Sequence, residues 1–221
     1  MVTEELFFGE TSFAGSLSEL PPNLEQFDCA FTLIDGGLVD STFAGLDSLF
    51  YAELSGNAYN SSVPAVIGSL PKLENLYIAD AFISGDLSYM EGMPSIAEHW
   101  IDFNPDLSGP IFPFIGEIST LQSFSVTQSS LTGTIPTELG LMEDMIQMWF
   151  YGNQLTGTIP SEIGLLPAMN TFRVESNNLS GSMPLEVCDN VGFLKPLTVL
   201  GADCNSPSFD VSTVLIQRKV Q

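Results

Sequence analysis

From Leu121 to Cys188 the sequence repeats itself every 24 residues, with lines starting at Leu121, Met145 and Met169. Set under one another, these lines align Phe124, Met148 and Phe172, then Val126, Phe150 and Val174, then Leu131, Leu155 and Leu179. The columns continue through Thr132-Gly133, Thr156-Gly157 and Ser180-Gly181, then Ile135-Pro136, Ile159-Pro160 and Met183-Pro184. In the first two lines they end in Glu138-Leu139-Gly140 and Glu162-Ile163-Gly164. One line is too short to bury its own apolar face, so a chain of this kind folds by stacking successive lines as coils around a shared core.

The segments LTGTIPTELGLM, LTGTIPSEIGLL and NNLSGSMP resemble the plant-type subclass of leucine-rich repeat proteins, whose line reads roughly LxxLxLxxNxLSGxIPxxLGxL. That resemblance implies a repeat solenoid of the α/β type. Its parallel sheet lines the concave face, and turns with short 3-10 or helical segments form the convex one. Apolar residues at line positions 1, 4, 6 and 11 point inward. The asparagine of position 9 turns its amide onto backbone groups of the bend, and stacked copies form a ladder. Asn57, Asn104, Asn153 and Asn177 occupy that column, and Ala81 interrupts it. Glycine at position 13 and proline at position 16 suit the tight bends of the convex side.

Followed upstream, the columns give further coils near residues 3, 24, 49, 73 and 96, eight in all. The expected organisation is one solenoid over residues 1–204, closed by a cap at 188–204, with a tail at 205–221. Cys188 and Cys204, with fifteen residues between them across the final turn, read as a capping disulfide. A loop of that size contributes on the order of 3 kcal/mol. PLEVC with LTVLGADC also resembles the C-terminal cap of secreted repeat proteins from diatoms and related algae. At the start, Glu4-Glu5-Leu6-Phe7-Phe8 enters a coil without a cysteine-bearing cap, as a piece of a longer array would.

Charge restricts the partners. The formal net charge is −22, and residues 1–172 carry 22 acidic side chains against the single basic Lys72. Nucleic acid and anionic membrane surfaces are disfavoured, whereas a basic or neutral protein, peptide or glycan is compatible. No apolar run is long enough to span a membrane, and MVTEELFFGE lacks the basic and apolar regions of a leader.

Chemistry-bearing motifs are sparse. The third cysteine, Cys29, falls in an inward column and is expected as a buried structural thiol. His99, the one histidine, replaces an inward apolar residue without a second histidine or a cysteine nearby. Asp102-Phe103-Asn104-Pro105-Asp106 copies the opening of a calcium loop, but Leu107 stands where glycine is needed and Pro113 where a bidentate glutamate would be. Two glycosylation sequons begin at Asn60 and Asn178. No catalytic, cofactor or metal set is expected, and the chain is not read as an enzyme.

The expected binding surface is the concave sheet, through positions 3, 5, 7 and 8 of each line. Between the third and seventh coils these carry Tyr51, Glu53, Tyr77, Asp80, Glu98, Trp100, Asp102, Phe103, Trp149 and Tyr151, aromatics alternating with carboxylates. The alternative is that these rings pack on one another as cross-strand pairs that stabilise the sheet. The function expected is non-catalytic recognition of a protein, peptide or glycan by a secreted protein or receptor ectodomain. A structural or adhesive acidic wall glycoprotein is the second reading. Ice binding is a third, which the mixed outward columns disfavour.

Overall fold

The computed structural model describes residues 4–189 and 199–201. Cys204, the second half of the expected capping disulfide, and the tail lie outside these residues.

Nine short strands form one parallel sheet in which every strand pairs with the next one along the chain. They are Glu4–Phe7, Leu24–Asp28, Tyr51–Glu53, Asn75–Tyr77, Glu98–Trp100, Ser123–Ser125, Gln147–Trp149, Thr171–Arg173 and Val199–Gly201. Sequential parallel neighbours require a crossover after each strand, and the rest of each coil supplies it. The first eight belong to the eight coils, and the ninth pairs Thr171–Arg173 with the stretch beyond them. On the opposite side run 3-10 helices at Ala65–Ser69, Leu87–Met90, Pro113–Glu117, Thr137–Leu141 and Ser161–Leu165. Pro64, Pro136 and Pro160 precede three of them with φ near −67°, −68° and −66°, the angle to which the proline ring is already confined. Short parallel pairs such as Ser108–Pro110 with Ser130–Thr132 connect the coils along a second side.

The inward columns merge into one apolar core running the length of the described stack. Phe27, Ala52, Leu76, Phe124, Met148 and Phe172 form one buried rank, and Leu54, Ile78, Ile101, Val126, Phe150 and Val174 another. Asparagines bind each bend to the coil before it. The amide of Asn104 donates to the carbonyls of Ile78, Ile101 and Asp102, while its Oδ1 accepts from the N–H groups of Ala81 and Ile83. Asn57, Asn153 and Asn177 repeat the arrangement.

The Leu-Gly columns have a reason that spacing alone does not reveal. On the convex side the 3-10 helices touch backbone to backbone. A Cβ added to Gly116 would lie 2.2 Å from the Glu138 carbonyl oxygen, and one on Gly68 would lie 1.9 Å from that of Tyr89. Glycine therefore sets how closely neighbouring coils approach.

His99 lies fully buried in an otherwise apolar rank. Its Nδ1 faces the Leu76 carbonyl at 2.8 Å, so that nitrogen carries the proton and Nε2 accepts from the hydroxyl of buried Tyr89. Burial drives its pKa down from 6.5 to about 4, against the upward pull of the Leu76 carbonyl. The unfolded chain thus takes up the proton first. The contribution is complete above pH 6.5 and is lost as the pH falls through 4. Chemical denaturation of the wild type and His99→Phe is expected to show their stability difference shrinking by about 2.5 kcal/mol between pH 7.5 and 4.5. A pH-independent difference would contradict this account of His99.

Candidate functional site

The outward residues of the strands form columns fixed by the sheet register. Glu53, Tyr77, Trp100, Ser125, Trp149 and Arg173 stand in one row across six consecutive strands. Tyr51 and Tyr77 meet edge to face at 5.8 Å, and Tyr77 and Trp100 at 5.3 Å. Trp100 and Trp149 belong to strands that are not neighbours, yet their rings lie 5.9 Å apart. The intervening strand carries Ser125 in that row. Its small side chain is fully buried, so the two indoles close over it. The tryptophans are themselves only partly exposed.

Polar groups hold the row in place. The hydroxyl of Tyr77 donates to Glu98 at 2.7 Å and accepts from Asn75, and Trp100 Nε1 donates to Ser123 at 2.9 Å. Asp102 accepts from Ser125 Oγ at 2.7 Å and from the Thr127 N–H at 2.6 Å. With Asp102 so engaged and Asn104 turned into the ladder, the D-x-N-x-D run does not converge on a common point. At the other end the Arg173 guanidinium lies 4.3 Å from the centre of the Tyr151 ring and pairs with Glu175. Burial, with Asp28 close by, raises the carboxyl of Glu53 above its ordinary value even though Ser55 donates to it. Burial and then Glu53 raise Tyr51.

Among the described residues, three buried polar atoms in this region have no hydrogen-bond partner: Trp149 Nε1, Thr127 Oγ1 and Glu175 Oε2. They belong to the sixth, seventh and eighth coils, around Tyr151.

The structure brings Tyr51, Glu53, Tyr77, Glu98, Trp100 and Trp149 into one surface, with Asp102 and Tyr151 in the next outward column. Asp80 and Phe103 lie elsewhere. Both have left-handed backbone, φ 50° and 56°, at the bend that follows the strand, and both are exposed. Arg173, Glu175 and the serines under the indoles escaped the sequence reading, although Arg173 continues the tryptophan row one coil further. Of the sequon asparagines, Asn60 is exposed at a bend and Asn178 is exposed on a strand of a two-stranded pair. Cys29 is fully buried, 3.4 Å from the Tyr59 hydroxyl, and burial pushes its thiol up to about 12. Cys188 is exposed. No helix among the described residues is long and apolar enough to cross a membrane.

No protein-family model matches the chain, and no curated protein sequence does. Solved structures do. The plant peptide hormone receptor RGFR1 in complex with RGF2 superposes with a TM-score of 0.82 at 24% identity, over 91% of this chain and 32% of that one. The ectodomain of the Arabidopsis receptor kinase HAESA, in complex with an N-terminally extended IDA peptide hormone ligand, gives 0.71 at 23% identity over 90% and 37%. Internalin C2 of Listeria monocytogenes gives 0.60 at 15% identity over 83% and 72%. The chain spans about a third of the length of the two receptors. Repeat columns, sequential parallel sheet and these likenesses together show that the chain folds as a leucine-rich repeat solenoid.

Proposed function

We propose that the chain is a non-catalytic recognition module that binds an extended, neutral or basic peptide segment across the concave sheet. The observation that carries the reading is the row from Tyr51 to Trp149, in which partly exposed aromatic rings on rigid strands meet one another across the sheet. Exposed Trp and Tyr on a rigid frame supply contact area at small entropic cost, and such residues dominate binding hot spots. The carboxylate of Glu53, already partly desolvated, gains from a cationic group brought against it. A peptide suits the geometry better than a glycan. The rings meet edge to face at 61° and 72°, covering the faces on which a sugar would stack. The RGFR1 and HAESA structures hold RGF2 and an IDA peptide hormone, which supports the same class of ligand.

A secreted or cell-surface setting belongs to this reading, with glycans on Asn60 and Asn178 and a Cys188–Cys204 bridge closing the last turn. Exposure of both asparagines and of Cys188 supports it. Both tryptophans of the chain lie in the proposed site, so their emission reports on it directly. Peptides selected from a displayed library of ten-residue sequences should shift that emission saturably at one site per chain. Selected binders that leave it unchanged would remove the concave surface from consideration.

A further inference from the structure

Phe31, Phe82 and Phe103 are each more than half exposed, and each has left-handed backbone, with φ between 52° and 56°. A bulky side chain is a poor occupant of such a position on both grounds, because the conformation crowds its Cβ and the ring faces water. Gln128 and Ser176 take the same place as Phe31 and Phe103 in later coils, with polar side chains and similar φ. Neither burial nor backbone preference therefore accounts for the phenylalanines. The Phe31 ring packs on Gly56 of the next coil, and the exposed remainder of these rings leaves apolar surface open to a partner.

Beside Phe82 lies a notch. In the third coil the two places that carry Phe31 and Leu33 one coil earlier are held by Gly56 and Ala58, which leaves an open hollow of about 370 Å³. Leu33 and Phe82 wall it, and Asp80 borders it. Gly56 is required there, since a Cβ would lie 2.4 Å from the Phe31 ring laid across it. The Asp80 carboxylate makes no hydrogen bond or ion pair among the described residues.

Apolar walls, the Phe82 ring and one carboxylate without a partner among the described residues match the planar, weakly hydrated arginine side chain, which stacks on rings and bonds a carboxylate through paired N–H groups. A second copy is a poor source of it, with five basic residues against 27 acidic ones in each chain and a net charge of −22 repelling it. We infer that the notch at Gly56 and Ala58 docks an arginine side chain carried by a basic partner protein. This surface follows the strands and is separate from the tryptophan row.

The test uses the chain labelled with nitrogen-15 and two small probes, capped arginine and its neutral isostere, capped citrulline. Capped arginine is expected to shift the amide resonances of Gly56, Ala58 and Phe82 saturably at millimolar concentration, and citrulline at least five-fold more weakly. Asp80→Asn keeps a residue that tolerates left-handed backbone and should weaken the arginine response at least five-fold, with distant resonances unmoved. Ala58→Leu should abolish it by filling the hollow. Shifts spread evenly over the acidic surface, equal responses to both probes, or an unchanged response in Asp80→Asn would each overturn the inference. Shifts of these amides with protein concentration alone would assign the notch to a second copy and overturn it as well.

Discussion

Replacing Asn104 by leucine is expected to lower the unfolding free energy by about 4 kcal/mol, a large effect for one substitution at conserved volume. Asn104 is fully buried, and its side chain serves five backbone groups on two coils. The Asp102 carbonyl keeps a bond from the Asp80 N–H after the change. The carbonyls of Ile78 and Ile101 and the N–H groups of Ala81 and Ile83 lose their partner, and an orphaned buried group costs about 1 to 3 kcal/mol. Leucine adds no compensating burial, because the pocket is built around an amide. Urea unfolding of Asn104→Leu beside the exposed control Gln122→Leu measures the difference. A loss no larger than the control's would mean that the ladder does not hold the bends.

The coil was legible in the sequence because stacking demands apolar residues at fixed intervals, and Leu121, Met145 and Met169 head lines that satisfy it. The ladder asparagines were legible for the same reason, since one amide at one position answers one recurring need. Geometry that no single residue type enforces was not. Left-handed backbone recurs at Glu10, Phe31, Asp80, Phe103, Gln128 and Ser176, which share no chemistry, and only Gly56 and Gly152 in the same column hint at it. That is why Asp80 and Phe103 were assigned to the strand face.

The row of rings was visible as a column, but its closure was not. Trp100 and Trp149 meet only because Ser125 is small, and that consequence needs three strands at once. His99 illustrates the same limit. Its inward place followed from the column, whereas its partner Tyr89 sits in the preceding 3-10 helix, outside any repeated position.

Loss of both indoles carries the second large effect. The Tyr77–Trp100 and Trp100–Trp149 contacts make the rings part of the sheet as well as of its surface, and such pairs contribute about 0.5 to 1.5 kcal/mol each. The Trp100→Ala, Trp149→Ala double variant should therefore stay folded with a Tm lower by about 5 °C. Its effect on binding should be far greater, because two adjacent aromatic anchors and one unpaired indole N–H disappear together. An affinity loss of about 100-fold corresponds to ~2.7 kcal/mol, within reach of two hot-spot residues.

Isothermal titration of a library-selected peptide into the wild type and into this double variant, with circular dichroism confirming that both are folded, tests recognition by the concave row most directly. The account predicts at least about a 100-fold weaker Kd in the variant. Equal affinity in the folded variant would contradict it.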